Sequence, residues 1–394
     1  MKRRGAAGNG SRAAPTYWLS QSGMREAPPA FLPARAEVAV IGGGVIGVVA
    51  AYEMARLGAS PLLLERRRPG WGASGRNAGL VLGNAASLDG MRAVLAEERL
   101  DADYGEPGHL ALASSAAMLE RMREEIARRP PGAMPVQALD RGACEDVLGM
   151  RIAAGFAGGR WMPRAGAVHP ARLVSGLADA AARRGATIAA GTGVRRFRRV
   201  SNGDGFELET SRGRVRTRQV VLACGAASGW LWRPLRALLS PSRGQVLATA
   251  PLPALFGPGL AVDYGAVYWR QAPDGVVVLG GCHHLDPAAE ATGRVGLNPR
   301  IQDALERFLP EAFPGLPPVR VAWRWAGIMD QTPDGRPLAG AWPDGSGLWI
   351  AAGFGGHGLP PALEIGRALA RAVVAGERPA LPATLDPARF RPPA

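Results

Sequence analysis

Residues 37–65 read EVAVIGGGVIGVVAAYEMARLGASPLLLE, and this stretch decides the fold. Residues 37–41 form a short apolar run stopped by glycine, the pattern of a buried parallel strand. Over 45–57, Ile46, Ala50 and Leu57 recur at helical spacing, and Gly58 supplies a C-cap. A second apolar run, 62–64, ends at Glu65. The turn between strand and helix spells G-x-G-x-x-G at Gly42, Gly44 and Gly47, a string that carries weight only in this strand–turn–helix context. Gly42 permits the tight turn, Gly44 lets the backbone approach a pyrophosphate, and Gly47 lets helix pack on strand. Val45 and Ile46 open the helix, whose free N–H groups and positive end suit phosphate. Glu65, with Arg66 beside it, can accept hydrogen bonds from ribose hydroxyls and would repel a 2′-phosphate. The unit holds the ADP half of a dinucleotide, without separating FAD from NAD.

Outward from this unit, the elements alternate between two kinds of sheet. Residues 69–83 read as a glycine-rich loop, followed by helices over 91–101 and 114–128 around a strand at 109–112. A loop over 163–170 precedes a helix at 171–184. Strands follow at 187–190, 206–210, 214–217 and 219–223. From 242 to 324 the pattern changes to alternating strands (245–249, 266–270, 276–280, 319–325) with one helix at 299–308. A buried strand at 348–352 and a helix at 361–375 close the chain. The expected fold class is α/β: a Rossmann-like FAD-binding domain of parallel sheet and helices, plus an inserted α+β substrate domain with an antiparallel sheet. The boundaries place a tail at 1–36, a discontinuous cofactor domain at 37–100, 151–238 and 326–394, and a substrate domain at 101–150 and 239–325.

Composition excludes several classes. The net charge of +14 invites a nucleic-acid reading, but Lys2 is the sole lysine and the arginines are scattered rather than gathered on one face. That skew reads as codon bias, so no nucleic-acid partner is expected. Cys144, Cys224 and Cys282 are lone and widely spaced, which fits a reducing compartment and no metal site. The adjacent His283 and His284 would point to opposite faces of a strand, so they make no metal pair. The apolar run 38–52 is shorter than the ~20 residues of a membrane span and is broken by glycines, so no span and a cytoplasmic location are expected.

Residues 72–79, GASGRNAG, with the later GFGGHG at 353–358, point to flavin. At these residues the chain resembles the D-amino-acid-oxidase-like family of FAD-dependent amine oxidoreductases. The closest types within it are γ-glutamylputrescine oxidoreductases, the β subunit of sarcosine oxidase and glycine oxidase. Further matching strings are Thr16-Tyr17-Trp18-Leu19, Met162-Pro163 through His169-Pro170, and 221–226. Arg243-Gly244-Gln245, Tyr268-Trp269-Arg270 with Gly280-Gly281, Trp325 through Pro337, and 386–390 complete the series, so the resemblance covers nearly the whole chain. It implies that Ser74, Arg76, Asn77 and Ala78 contact the diphosphate and flavin, and that Val194 holds adenine through its backbone. Ala223, Gly225 and Gly327 would line the cofactor. Gly353, Gly355, Gly356, His357 and Gly358 would sit at the flavin's pyrimidine end, where the last helix's dipole favours negative charge.

The implied activity is oxidation of a C–N bond in an amine or N-substituted amino acid, by hydride transfer to flavin N5 and hydrolysis of the imine. The partners are then a small amine or amino-acid substrate and an electron acceptor, oxygen or another; neither the substrate nor the oligomeric state is named by the sequence. Tyr268 and Trp325 are expected as substrate walls, His357 beside the flavin, and Arg270 as the grip for a distal acidic group. His169 is expected to be structural, and Cys224 to pack as a small hydrophobe.

Three departures from the family pattern sharpen this. Met329 stands where glycine oxidase and D-amino-acid dehydrogenases carry an arginine that grips an α-carboxylate. No lysine is available to promote oxygen reaction. Gly327 stands near the cysteine that tethers FAD in monomeric sarcosine oxidase, so FAD is expected to be non-covalent. The alternatives are a flavin-binding assembly or chaperone-like protein without turnover and a D-amino-acid dehydrogenase; the two flavin-type loops disfavour an NAD-dependent dehydrogenase.

Overall fold

A computed structural model describes residues 16–21, 31–200 and 205–390. Two eight-stranded sheets organise the chain. The first runs in the order Leu338–Ala341, Leu348–Ala352, Gly213–Leu222, Arg35–Ile41, Leu62–Leu64, Thr187–Ala189. From Leu348–Ala352 to Thr187–Ala189 the neighbours are parallel. The helices Val45–Arg56, Pro170–Arg183 and Ala362–Ala375 share its main apolar cluster. Gly366 lets the last helix approach the first, since a methyl there would lie 2.5 Å from the Val49 side chain.

The two strands expected at 214–217 and 219–223 are one, Gly213–Leu222. Its first half pairs with the antiparallel hairpin of Val194–Arg199 and Phe206–Thr210 and alternates exposed with buried residues. Its second half lies between Arg35–Ile41 and Leu348–Ala352 and is continuously apolar. A change of periodicity inside one strand thus read as a break between two.

The second sheet has the order Val321–Gln331, Ser240–Thr249, Val277–Gly281, Val267–Gln271, Gly259–Val262, His109–Ala113, Gly158–Met162, Gln137–Asp140. Its pairs are antiparallel except Gly259–Val262 with His109–Ala113. The helix Pro299–Ala312 covers one face through Trp269, Phe308 and Phe313, whose rings meet edge to face. The other face turns toward the glycine-rich loops of the first sheet. Sheet membership moves the domain boundaries: Gly158–Met162 joins the second sheet although it falls within the expected cofactor segment 151–238, and Val321–Gln331 runs beyond 325. Within the expected tail, Tyr17–Gln21 is a short helix with Tyr17, Trp18 and Leu19 buried; Lys2 lies outside the described residues.

Candidate active site

Two of the three motif glycines are required by contact. A methyl on Gly42, whose φ is +113°, would stand 2.4 Å from the Ala223 carbonyl oxygen, and one on Gly47 would stand 2.1 Å from the Gly42 oxygen. Gly44 is the N-cap of Val45–Arg56 and has no capping side chain of its own. Ser74 caps instead, its Oγ accepting from the Val45 N–H at 2.9 Å. The first helical bond is donated by Val48 to the Gly44 oxygen, which leaves the amides of Ile46 and Gly47 free of intrahelical partners. A turn with no Cβ, unpaired amides and a positive helix end is a fit for a diphosphate.

Glu65 stands at the far lip. Its carboxylate accepts from the Gly43 and Arg67 amides, both at 2.8 Å. Burial pushes its pKa up, against these two bonds. The Glu65 carbonyl accepts from Thr192, and Gly193 lies against Arg66, which brings Val194 to the same end as Glu65. Glu65 and Val194, expected at ribose and adenine and far apart in sequence, therefore lie at one end.

The loop after Glu65 is held from three sides. Asn77 donates to the Ala73 and Ser74 carbonyls and accepts from the Gly79 amide. Buried Arg76 donates to the Trp71 and Ala326 carbonyls, stacks on Trp71, and has its pKa lowered to about 10 by burial. Gly327 lies close by: a methyl there would stand 3.3 Å from the Arg76 Cβ, a tight contact. Trp325 donates its Nε1–H to the Arg76 carbonyl at 2.9 Å, so it holds this loop rather than acting only as a wall.

Arg270 differs from its expected role. Its Nε donates to the Ala78 carbonyl at 2.7 Å and an Nη to the Val168 carbonyl at 2.8 Å, beneath the Trp18 ring. It ties the second sheet to the loops at Ala78 and Val168, and this geometry does not show it reaching for a substrate acid. Tyr268, on the same face of its strand, lies over Gly280, where any Cβ would meet the ring at 2.6 Å; burial pushes its phenol up to about 12. Trp18 explains why the aromatic lead-in matters: its Nε1–H donates to the Asn77 carbonyl at 2.7 Å. His169 is structural, capping Pro170–Arg183 through Nδ1. Cys224 donates its thiol to the Ile41 carbonyl behind Gly42.

At the other end, Gly353, Gly355 and Gly356 all adopt positive φ. His357 is exposed and its Nδ1 lies 3.0 Å from the Gly355 oxygen, so it shapes the turn as well as facing outward. Gly358 packs against Phe354. Asp330, which the sequence reading passed over, anchors this loop. Its buried carboxylate accepts from the Gly353 amide at 2.6 Å, and its carbonyl accepts from Gly355. Gly225 approaches the same carboxylate, its Cβ position being 3.6 Å from Oδ1. No cation among the described residues pairs with Asp330, and burial raises its pKa. Met329 sits between Gly244 and Gly356, 2.8 Å from the position of a Cβ on the latter. Across from it in register is Ser242, whose Oγ lies 2.9 Å from His283 Nε2. His283 had been weighed only as a metal ligand; among the described residues no cluster of three or more His, Cys, Asp or Glu could hold a metal. Sequence spacing held no signal for this pair: His283 and His284 lie not on a strand but in the turn His283–Leu285 that follows Val277–Gly281, and only folding brings that turn to Ser242.

Residues 37–372 match the model of the DAO family, described as FAD dependent oxidoreductase. A probable oxidoreductase, OrdL, of Rhizobium meliloti is 28% identical over 82% of this chain and 80% of that protein. The gamma-glutamylputrescine oxidoreductase of Escherichia coli is 27% identical over 85% of this chain and 82% of that protein. The crystal structure of glycine oxidase from Geobacillus kaustophilus superposes with a TM-score of 0.80 at 25% identity, covering 91% of this chain and all of that one (100%). A family match over most of the chain, laid on a cradle whose glycines and free amides suit a diphosphate, makes this protein a member of the DAO family of FAD-dependent oxidoreductases, with FAD as its cofactor.

Proposed function

We propose that the protein oxidises the C–N bond of an amine or N-substituted amino acid rather than a simple α-amino acid. FAD supplies a hydride acceptor at N5, and the resulting imine is released to water. The chain's own residues bind and orient. Ser74, the Val45–Arg56 helix start and Glu65 hold the nucleotide half, the Asp330-anchored loop shapes the pyrimidine end, and Tyr268 with Ser242 and His283 borders the substrate. The observation that carries the choice of substrate is Met329, wedged between Gly244 and Gly356. An α-carboxylate brought there would lose water without a cation in exchange, at a cost of several kcal/mol. A cytoplasmic setting belongs to the same reading and rests on the three free cysteines; among the described residues no helix is long and apolar enough to cross a membrane.

Anaerobic mixing of the yellow protein with a panel of amines, D-alanine and glycine tests this, with air admitted afterwards to learn whether oxygen accepts the electrons. Amines should bleach the flavin faster than either amino acid, and acid precipitation should leave the FAD in the supernatant. Efficient bleaching by D-alanine would return the assignment to a D-amino-acid dehydrogenase. Bleaching by nothing in the panel would favour the non-catalytic assembly reading.

A further inference from the structure

The strand order of the parallel sheet fixes what stands along its carboxyl edge. Gly353 follows Leu348–Ala352, Gly225 comes just after Gly213–Leu222, Gly42 follows Arg35–Ile41, and Glu65 follows Leu62–Leu64. In such a sheet the ligand lies across the carboxyl ends of the strands. The Gly42 cradle is in the middle of this edge, and Glu65 flanks it on one side. Asp330 flanks it on the other, carried there by Val321–Gln331 of the second sheet. Its carboxylate takes the Gly353 amide, and Gly225 closes on the same group. Gly353 and Gly42 stand two strands apart, about 10 Å at the usual spacing. Cys224 feels both carboxylates: burial pushes its thiol pKa up, and Glu65 and Asp330 push it further.

The two flanking carboxylates are not equally supplied. Glu65 is met by two amides, and the charges of Arg66 and Arg67 act on it. Asp330 is 6% exposed and forms no ion pair among the described residues. Burial raises its pKa, while the bond from the Gly353 amide favours the ionised form. Anchoring that amide does not by itself call for a charge, since the oxygen of an asparagine would accept the same bond without the cost of burying an ion. The charge has a different consequence. A hydride carries two electrons and one proton into the flavin, which thereby gains one unit of negative charge. A fixed anion near the ring, in a site poor in water, makes that gain less favourable.

We propose that the Asp330 carboxylate sets how readily the flavin takes up electrons, holding its reduction potential down from behind the Gly353 loop. This rests on the reading given above, in which that loop shapes the pyrimidine end and Glu65 the nucleotide end. Asp330 is a positioning residue with two separable effects. Its oxygen places the loop, and its charge opposes the charge of the reduced ring.

The test is an anaerobic redox titration of the FAD-loaded protein against dyes of known potential, at one pH. Asp330→Asn keeps an oxygen for the Gly353 amide and removes the charge. At a fixed dye potential its ratio of reduced to oxidised flavin should rise about tenfold or more, which is about 30 mV or more for a two-electron couple. Asp330→Glu keeps the charge and should stay near the unmodified potential. Equal potentials in Asp330→Asn and the unmodified protein would overturn the proposal. So would an equal rise in Asp330→Glu, which would assign the effect to displacement of the loop. Should Asp330→Asn not retain FAD, the pair Asp330→Glu and Asp330→Gln is compared, two side chains of one length that differ in charge. A higher potential in the Gln variant supports the proposal, and equal potentials refute it. No amine enters this titration, so a protein that no amine bleaches can still show the shift, and one that amines bleach can fail to.

Discussion

At the scale of single residues, the chemistry followed the sequence where a motif dictated backbone contact. Gly42 and Gly47 are fixed by approaches of 2.4 and 2.1 Å to carbonyl oxygens, which is why G-x-G-x-x-G could be read without coordinates. Arg270 could not be read this way. A lone arginine on a strand is equally suited to a substrate and to two main-chain carbonyls, and only folding shows that Ala78 and Val168 take it. Asp330 was silent for a related reason: its partners, the Gly353 and Gly355 amides, are distant in sequence. Glu65 yields a prediction. Glu65→Gln removes the charge from an acceptor that holds the Gly43 and Arg67 amides and that we propose accepts from the ribose. FAD affinity, measured by fluorescence on reconstitution of the apoprotein, should weaken by about 1.5–3 kcal/mol. Unchanged affinity would remove Glu65 from the ribose.

At the scale of elements, the buried strands and long helices announced themselves by period, and the misses share a cause. Val194–Arg199 carries arginine at its exposed positions, and Gly259–Val262 and Leu338–Ala341 are four residues each, too short to show alternation. The five-residue helix Tyr17–Gln21 was noticed only as an aromatic string, yet it joins both halves of the molecule. Trp18 bonds the Asn77 carbonyl and covers Arg270, while Tyr17 donates to Asp274. Trp18→Ala should therefore do more than open a cavity worth about 3–5 kcal/mol. It should also loosen the Ser74–Asn77 loop and weaken FAD retention during dialysis. Lower thermal stability with FAD retention untouched would reduce the helix to plain apolar cover.

For the whole molecule, the two-sheet plan was legible because the buried parallel strands and the alternating ones differ in pattern, whereas the division of 151–238 was not, since Gly158–Met162 has the short mixed look of either sheet. Stability should depend on pH through buried histidine. Burial, with Arg160 adding to it, lowers the His109 pKa from 6.5 to about 4, and burial likewise lowers His169 to about 4. A histidine depressed in the folded state binds fewer protons than it does unfolded. The stability it confers is present above pH ~6.5 and lost as pH falls toward 4, by up to about 3 kcal/mol for such a shift. Glu65 and Asp330, raised by burial, tilt the other way over part of that range. His109→Leu isolates one contribution. Urea midpoints compared at pH 7 and pH 5 should show a smaller acid loss in the variant, with no penalty at pH 7, and parallel losses in both proteins would show that His109 does not titrate on unfolding.

The clasp made by Tyr17 and Trp18 also imposes an order on biosynthesis. Tyr17 leaves the ribosome 257 positions ahead of its partner Asp274. At roughly 5–20 residues per second, the earliest segment waits on the order of ten seconds or more for its last partner. Until then the loop bearing Ser74 and Asn77 lacks its cover, although the strand–turn–helix of residues 35–56 is already complete. The nascent chain can thus build its phosphate cradle early but can complete the clasp over it only once Asp274 has emerged. A truncated product stopped before Asp274 would be left with an open nucleotide site and no clasp.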